Sequence, residues 1–113
     1  MPGELESLFR WALFETTGTD MWALSAWGNI AIEGGSTGEH DHANPGNVWS
    51  GAYYVTHGSA IVFPRIELAI APEPGLLLVW PAQERHYVRQ QGKGDPRVSV
   101  AVNATHAALK RQE

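Results

Sequence analysis

From Glu4 to Glu15 the apolar residues Leu5, Leu8, Phe9, Ala12 and Leu13 recur at three- and four-residue intervals, the spacing that gathers side chains on one face of a helix. One amphipathic helix over about residues 4–15 is expected, ending near Thr16-Thr17-Gly18. Beyond Gly18 the period changes. Short strand-like segments run from Met21 to Ile32, Val48 to Thr56, Ser59 to Phe63, Ile66 to Ala71, Leu76 to Trp80, His86 to Arg89 and Arg97 to Ala104. Turn formers separate them: Gly34-Gly35, Asn44-Pro45-Gly46, His57-Gly58, Pro64, Pro72-Glu73-Pro74-Gly75, Pro81 and Gly92-Lys93-Gly94-Asp95-Pro96. Seven such strands at roughly even spacing predict a mainly β sandwich or barrel over about residues 20–104, behind one N-terminal helix.

The alternation is clearest in the last segment. Val98, Val100 and Val102 face one way, and Arg97, Ser99, Ala101 and Asn103 the other. Burying the valines turns Arg97 and Ser99 together to the opposite side. Earlier in the chain, His40 and His42 flank Asp41, and on an extended backbone residues two apart share a face. A strand pairing nearby can bring His86 to the same place. Three imidazoles on one side of an ion leave its other side open, an arrangement related to the facial triad of non-haem iron sites. Asp41 points away in that register, and becomes the ligand if the register slips by one residue.

Composition narrows the setting. At 113 residues, 43% apolar and 18% charged, the chain suits one globular domain, residues 1–113. Five Trp, three Tyr and three Phe provide large side chains for a core. Cysteine is absent, which removes disulfides, thiolate metal sites and cysteine nucleophiles. The N-terminal residues lack the basic and apolar regions of a signal peptide, and the apolar runs are far short of a bilayer span, so a cytoplasmic protein with no membrane partner is expected. A net charge of −4 with dispersed Lys and Arg argues against a nucleic-acid partner.

The blocks also occur in a telling order. His40-Asp41-His42 is followed by Ser50-Gly51-Ala52-Tyr53-Tyr54-Val55, then by Pro72-Glu73-Pro74-Gly75-Leu76-Leu77-Leu78-Val79-Trp80-Pro81 leading to His86, and finally by Arg97-Val98-Ser99-Val100-Ala101-Val102-Asn103. This resembles a family of 2-oxoglutarate/Fe(II)-dependent oxygenases whose pattern reads H-x-H, S-G-x-Y-Y, P-x-x-G-x-L, H and R-x-S-x-x-x-N. Trp27-Gly28-Asn29-Ile30 resembles its W-x-N-[IV] strand, so the likeness covers residues 22–103. The loop after His42 is longer than the pattern, Ala43 stands where proline is usual, and the part before Trp27 is short.

The resemblance implies a double-stranded β-helix, the cupin-like jelly roll, with Fe(II) held by His40, His42 and His86. It further implies 2-oxoglutarate as co-substrate, its far carboxylate forked by Arg97 with Ser99 adding a hydroxyl, and Tyr54 and Asn103 as further contacts. The implied activity is a dioxygenase that uses O2, hydroxylates a small-molecule or peptide substrate and releases succinate and CO2. Tyr53 and Tyr54 face opposite ways, and the spacing leaves open which lines the cavity. Other readings stand beside these. Arg97 can be an exposed cross-strand partner, and His57 and His106 read as a turn and a polar tail. The whole can be a cupin-like three-histidine metalloprotein that does not use 2-oxoglutarate, or a non-catalytic or truncated jelly-roll module. Trp11 and Phe14 on the exposed side of the helix can serve a homodimer.

Overall fold

The computed structural model describes residues 3–43 and 46–107. Helix α1 spans Gly3–Thr17, with Glu4 and Glu6 in its first turn where the helix dipole favours negative charge. It stops at Gly18, whose φ of 79° gives the left-handed turn that ends many helices, its N–H donating to the Phe14 carbonyl at 2.8 Å. Phe9, Ala12 and Leu13 form the buried face, while Leu8, placed on that stripe by the spacing, stays 45% exposed. Arg10 ties the helix to the sheet by donating to the Trp22 carbonyl at 2.8 Å.

Among the described residues eight strands follow: β1 Trp22–Ala31, β2 Thr37–His40, β3 Asn47–Tyr54, β4 Ile61–Phe63, β5 Leu68–Ile70, β6 Leu77–Pro81, β7 His86–Val88 and β8 Arg97–His106. They form two antiparallel four-stranded sheets, ordered β1-β8-β3-β6 and β2-β7-β4-β5. Apart from the β4–β5 hairpin, successive strands alternate between the sheets, which is the double-stranded β-helix form of the jelly roll.

The strand absent from the hydrophobic pattern is β2. Its four residues, Thr37-Gly38-Glu39-His40, include no apolar side chain and none is buried, so nothing in a periodicity reading marks them. Their strand state comes from pairing with β7, a tertiary cause. A short 3-10 turn, Pro64–Ile66, also intervenes before β5. His106 ends β8, stacked on Trp22 with centroids 4.8 Å apart, instead of opening a polar tail; residues 108–113 of that expected frayed or short helical end lie outside the described residues.

The β1-β8-β3-β6 sheet has two different faces. Its outer face packs beneath α1, where Leu13, Trp22 and Ala104 form a cluster with Leu24, Val48, Trp49 and Val79. Gly51 permits this contact: a Cβ there would stand 2.6 Å from the Leu78 carbonyl and 3.1 Å from both the Phe9 ring and Val102. The inner face meets the second sheet, with Ala52, Tyr54 and Trp80 against Ile61 and Phe63. Ala52, Tyr54, Ile61 and Trp80 of that layer also line a cavity that opens between the sheets.

Candidate metal centre

Strand pairing assembles the histidines. His40 ends β2 and is the register partner of His86 at the start of β7. Past the end of β2 the backbone stays held, because the His42 N–H donates to the Ala82 carbonyl at 2.9 Å. One ligand atom from each of His40, His42 and His86 lies within 4.8 Å of the others. The ring centroids stand 4.4 Å (His40–His86), 4.9 Å (His40–His42) and 5.1 Å (His42–His86) apart. Asp41 faces outward instead, toward Arg85 at 3.6 Å.

Hydrogen bonding sets which nitrogen two of the rings offer. His40 Nδ1 donates to the Gly38 carbonyl at 2.7 Å, and His86 Nδ1 to the Glu84 carbonyl at 3.1 Å. A carbonyl can only accept, so both Nδ1 atoms carry the proton and both Nε2 lone pairs are free for a metal. Burial pushes His86 down to about 4; the bond to Glu84 opposes that shift, and the neighbouring His40 and His42 add to it. His42 is also lowered, first by burial and then by His40, with Asp41 opposing. These two rings are therefore neutral at pH 7, the state a metal requires. Trp80 and Phe63 wall His86 at centroid distances of 5.1 and 5.7 Å, and Trp27 stands 6.1 Å from His42. Three imidazoles this close, two with fixed tautomers, fit a divalent transition metal.

The same cavity, about 410 Å³, is lined on its other side by Tyr54, Arg97 and Ser99. Arg97 opens β8 and is only 5% exposed, and Ser99 4%. Arg97 Nε donates to the Ser59 carbonyl at 3.1 Å, and its guanidinium carbon lies 5.2 Å from the Tyr54 ring centroid. Gly58 packs on its stem so closely that a Cβ would meet Arg97 Cγ at 2.5 Å. Among the described residues no carboxylate pairs with this guanidinium. A buried cation without a counter-charge is costly, and the arrangement leaves a guanidinium able to pair with an anion.

The remaining candidates fall on either side of that sheet. Tyr54 is the cavity tyrosine, 1% exposed, its hydroxyl kept in the protonated form by burial against the opposing pull of Arg97; Tyr53 lies on the α1 side. Asn103 is on the inner face two positions beyond Ala101, where its Oδ1 accepts from Ser50 Oγ at 2.8 Å, and it is not among the residues lining the cavity. Trp80, Ser59 and Gly58 contribute to the site without having stood out in the sequence. A buried Trp before Pro81 and a Gly beside His57 carry no separate signal in a single chain, because their roles depend on contacts across the sheets.

Comparison with family models and with curated proteins returns no match. Solved structures do share the fold. The chain superposes on viral collagen prolyl hydroxylase vCPH from Paramecium Bursaria Chlorella virus-1 with a TM-score of 0.76 and 15% identity, over 93% of this chain and 72% of that one. It superposes on an oxidoreductase of the 2OG-Fe(II) oxygenase family from Burkholderia pseudomallei with a TM-score of 0.69 and 19% identity, over 83% of this chain and 50% of that one. A prolyl-4-hydroxylase from Pseudomonas putida gives 0.68 and 16%, over 89% and 63%. The chain thus spans half the length of the Burkholderia protein and under two thirds of the Pseudomonas one. Cupin proteins share the fold as well. The likeness establishes a cupin-type jelly roll; among the described residues, no helix is long and apolar enough to cross a membrane.

Proposed function

We propose that this protein is a non-haem Fe(II)- and 2-oxoglutarate-dependent dioxygenase that hydroxylates an organic substrate and releases succinate and CO2. The observation that carries the reading is Arg97: a buried guanidinium without a carboxylate partner among the described residues, in the same cavity as three convergent histidines. The fold shared with an oxygenase-family oxidoreductase and two prolyl hydroxylases supports it.

Each residue has a definable task. His40, His42 and His86 would hold Fe(II), His40 and His86 through the Nε2 atoms that their Nδ1 bonds leave free, with the cavity side open for ligands. Arg97 would fork the far carboxylate of 2-oxoglutarate, preoriented by the Ser59 carbonyl and by Gly58 against its stem. Ser99 and Tyr54 carry neutral hydroxyls on the same inner face and would donate to that carboxylate. When bound, iron and co-substrate supply oxidative decarboxylation coupled to C–H hydroxylation by O2, and the protein's part is orientation and exclusion of water. Phe63 and Trp80 supply the dry wall behind His86.

The all-histidine ligand set, together with the fold shared with cupins, supports a second reading as a metalloprotein that does not use 2-oxoglutarate. One experiment separates the two. Under anaerobic conditions the Fe(II) protein is titrated with 2-oxoglutarate and followed by visible absorption; in air, succinate is then measured. The oxygenase reading predicts a 2-oxoglutarate-dependent band and succinate release even without substrate. Stoichiometric Fe(II) with neither effect would leave the second reading, and no stoichiometric metal would sink both.

A further inference from the structure

The histidines point inward, and the residues between and beside them point outward to a common partner. Glu39 and Asp41 flank His40 on the outer side, and Arg85, immediately before His86, reaches both. Arg85 Nε donates to Glu39 Oε2 at 2.9 Å, its Nη2 to the Glu39 carbonyl at 3.3 Å, and its Nη1 stands 3.6 Å from Asp41 Oδ2. One guanidinium therefore bridges the strand carrying His40 to the strand carrying His86, directly behind the place where their imidazoles meet.

The bridge matters because little else holds β2. Thr37–His40 is an edge strand with no buried residue, and its register with β7 consists of Thr37↔Val88 and His40↔His86, with an irregularity between them. Backbone bonds anchor the segment at its ends, Gly34 and Gly35 with Gln91 and His42 with Ala82. Between these anchors the position of His40 depends on the short ladder and on Arg85. A shift of a few tenths of an ångström in one ligand is enough to weaken a metal site, since coordination distances tolerate only about 0.2 Å.

We propose that Arg85 is a positioning residue for the metal centre: its ionic bridge to Glu39 and Asp41 sets the distance between the His-x-His segment and His86. The inference rests on the reading of the three histidines as metal ligands. It carries a sign of its own. Removing a cation near a bound dication would strengthen metal binding if only the long-range field mattered, because like charges repel. Positioning predicts the opposite, weaker binding.

The test uses Co(II), whose visible bands report both occupancy and geometry. Apo protein, Arg85→Met, Arg85→Lys and, as a control for the same change of net charge at a nearby exposed arginine, Arg89→Met are titrated with Co(II), and each apo form is melted. Arg85→Met should bind about tenfold more weakly, in the range typical of lost outer-sphere partners, with altered band intensities. Its apo melting temperature should move by no more than about 5 °C, as befits a half-exposed ion pair. Arg85→Lys should recover part of the affinity, and Arg89→Met should bind as tightly as the parent or tighter. Parent and Arg85→Met binding Co(II) equally well, or the variant binding more tightly, would overturn the proposal while leaving the metal reading intact. Failure of the parent itself to take up Co(II) would overturn both.

Discussion

The two faces of β8 are made from one stretch of chain and obey opposite rules. On the outer face Val102 and Ala104 are almost fully buried, in contact with or close to α1, apolar against apolar, with Gly51 leaving room for the Phe9 ring. On the inner face Arg97 and Ser99 are buried just as deeply, yet Arg97 has a single backbone acceptor for its Nε and no counter-charge among the described residues. Burial of the first kind stabilises the fold. Burial of the second kind costs stability. Equal exposure values thus conceal opposite energetics, and what separates them is whether each polar group has a partner.

Substitutions can break that contrast from either side. The largest effect on folding is expected from Phe9→Ala, which empties the outer interface and should cost about 3–5 kcal/mol of stability, read from urea unfolding. Metal affinity of the fraction that remains folded should be unchanged, because Phe9 lies across the sheet from the histidines. Next comes Gly58→Ala, where the new methyl meets the Arg97 stem; about 1–3 kcal/mol of overpacking strain is expected, with weaker 2-oxoglutarate binding and unaltered metal uptake in calorimetric titrations.

A pH titration of apo stability probes the inner face without mutation. The folded-state value of His86, about 4, lies below its ordinary 6.5, so as pH falls below 6.5 the unfolded chain takes up a proton that the folded chain refuses. The contribution of His86 is therefore fully present above pH 6.5, declines between 6.5 and 4, and levels off below that. Urea midpoints measured at pH 7 and pH 5 should fall accordingly, and His86→Gln should flatten that dependence. The smallest change is expected from Ser99→Ala, which removes one neutral hydroxyl and should weaken 2-oxoglutarate about fivefold, the equivalent of about 1 kcal/mol, with stability nearly unchanged.

This contrast also explains how much could be read from the chain alone. Alternation through Arg97–Asn103 marks both faces of β8, because period two is a local property, and the face opposite the valines is the one the structure turns inward. The helix is legible for the same reason, with its ends displaced by one or two residues. His40 and His42 come together where the backbone past β2 is held by the Ala82 contact. What local pattern cannot reveal is whatever a neighbour imposes. β2 is a strand only because β7 lies beside it, and the choice of Tyr54 over Tyr53 follows from where α1 covers the sheet. No local signal joins Glu39 and Asp41 to Arg85; strand pairing brings the three together beside the histidines. The order of motifs suggested the grouping of the histidines with Arg97; the depth at which Arg97 is buried, and its lack of a counter-charge among the described residues, come only from the packed structure.

The central claim is that Arg97 is buried to receive the far carboxylate of 2-oxoglutarate while the histidines hold the metal independently. Anaerobic titration of the Fe(II) protein with 2-oxoglutarate, run on the parent and on Arg97→Ala, tests it most directly. Stoichiometric Fe(II) is expected in both proteins, with a saturable 2-oxoglutarate-dependent visible band in the parent and affinity reduced at least tenfold, or the band lost, in Arg97→Ala. Equal 2-oxoglutarate affinity in the two proteins, or a parent that holds Fe(II) and does not respond, would contradict it.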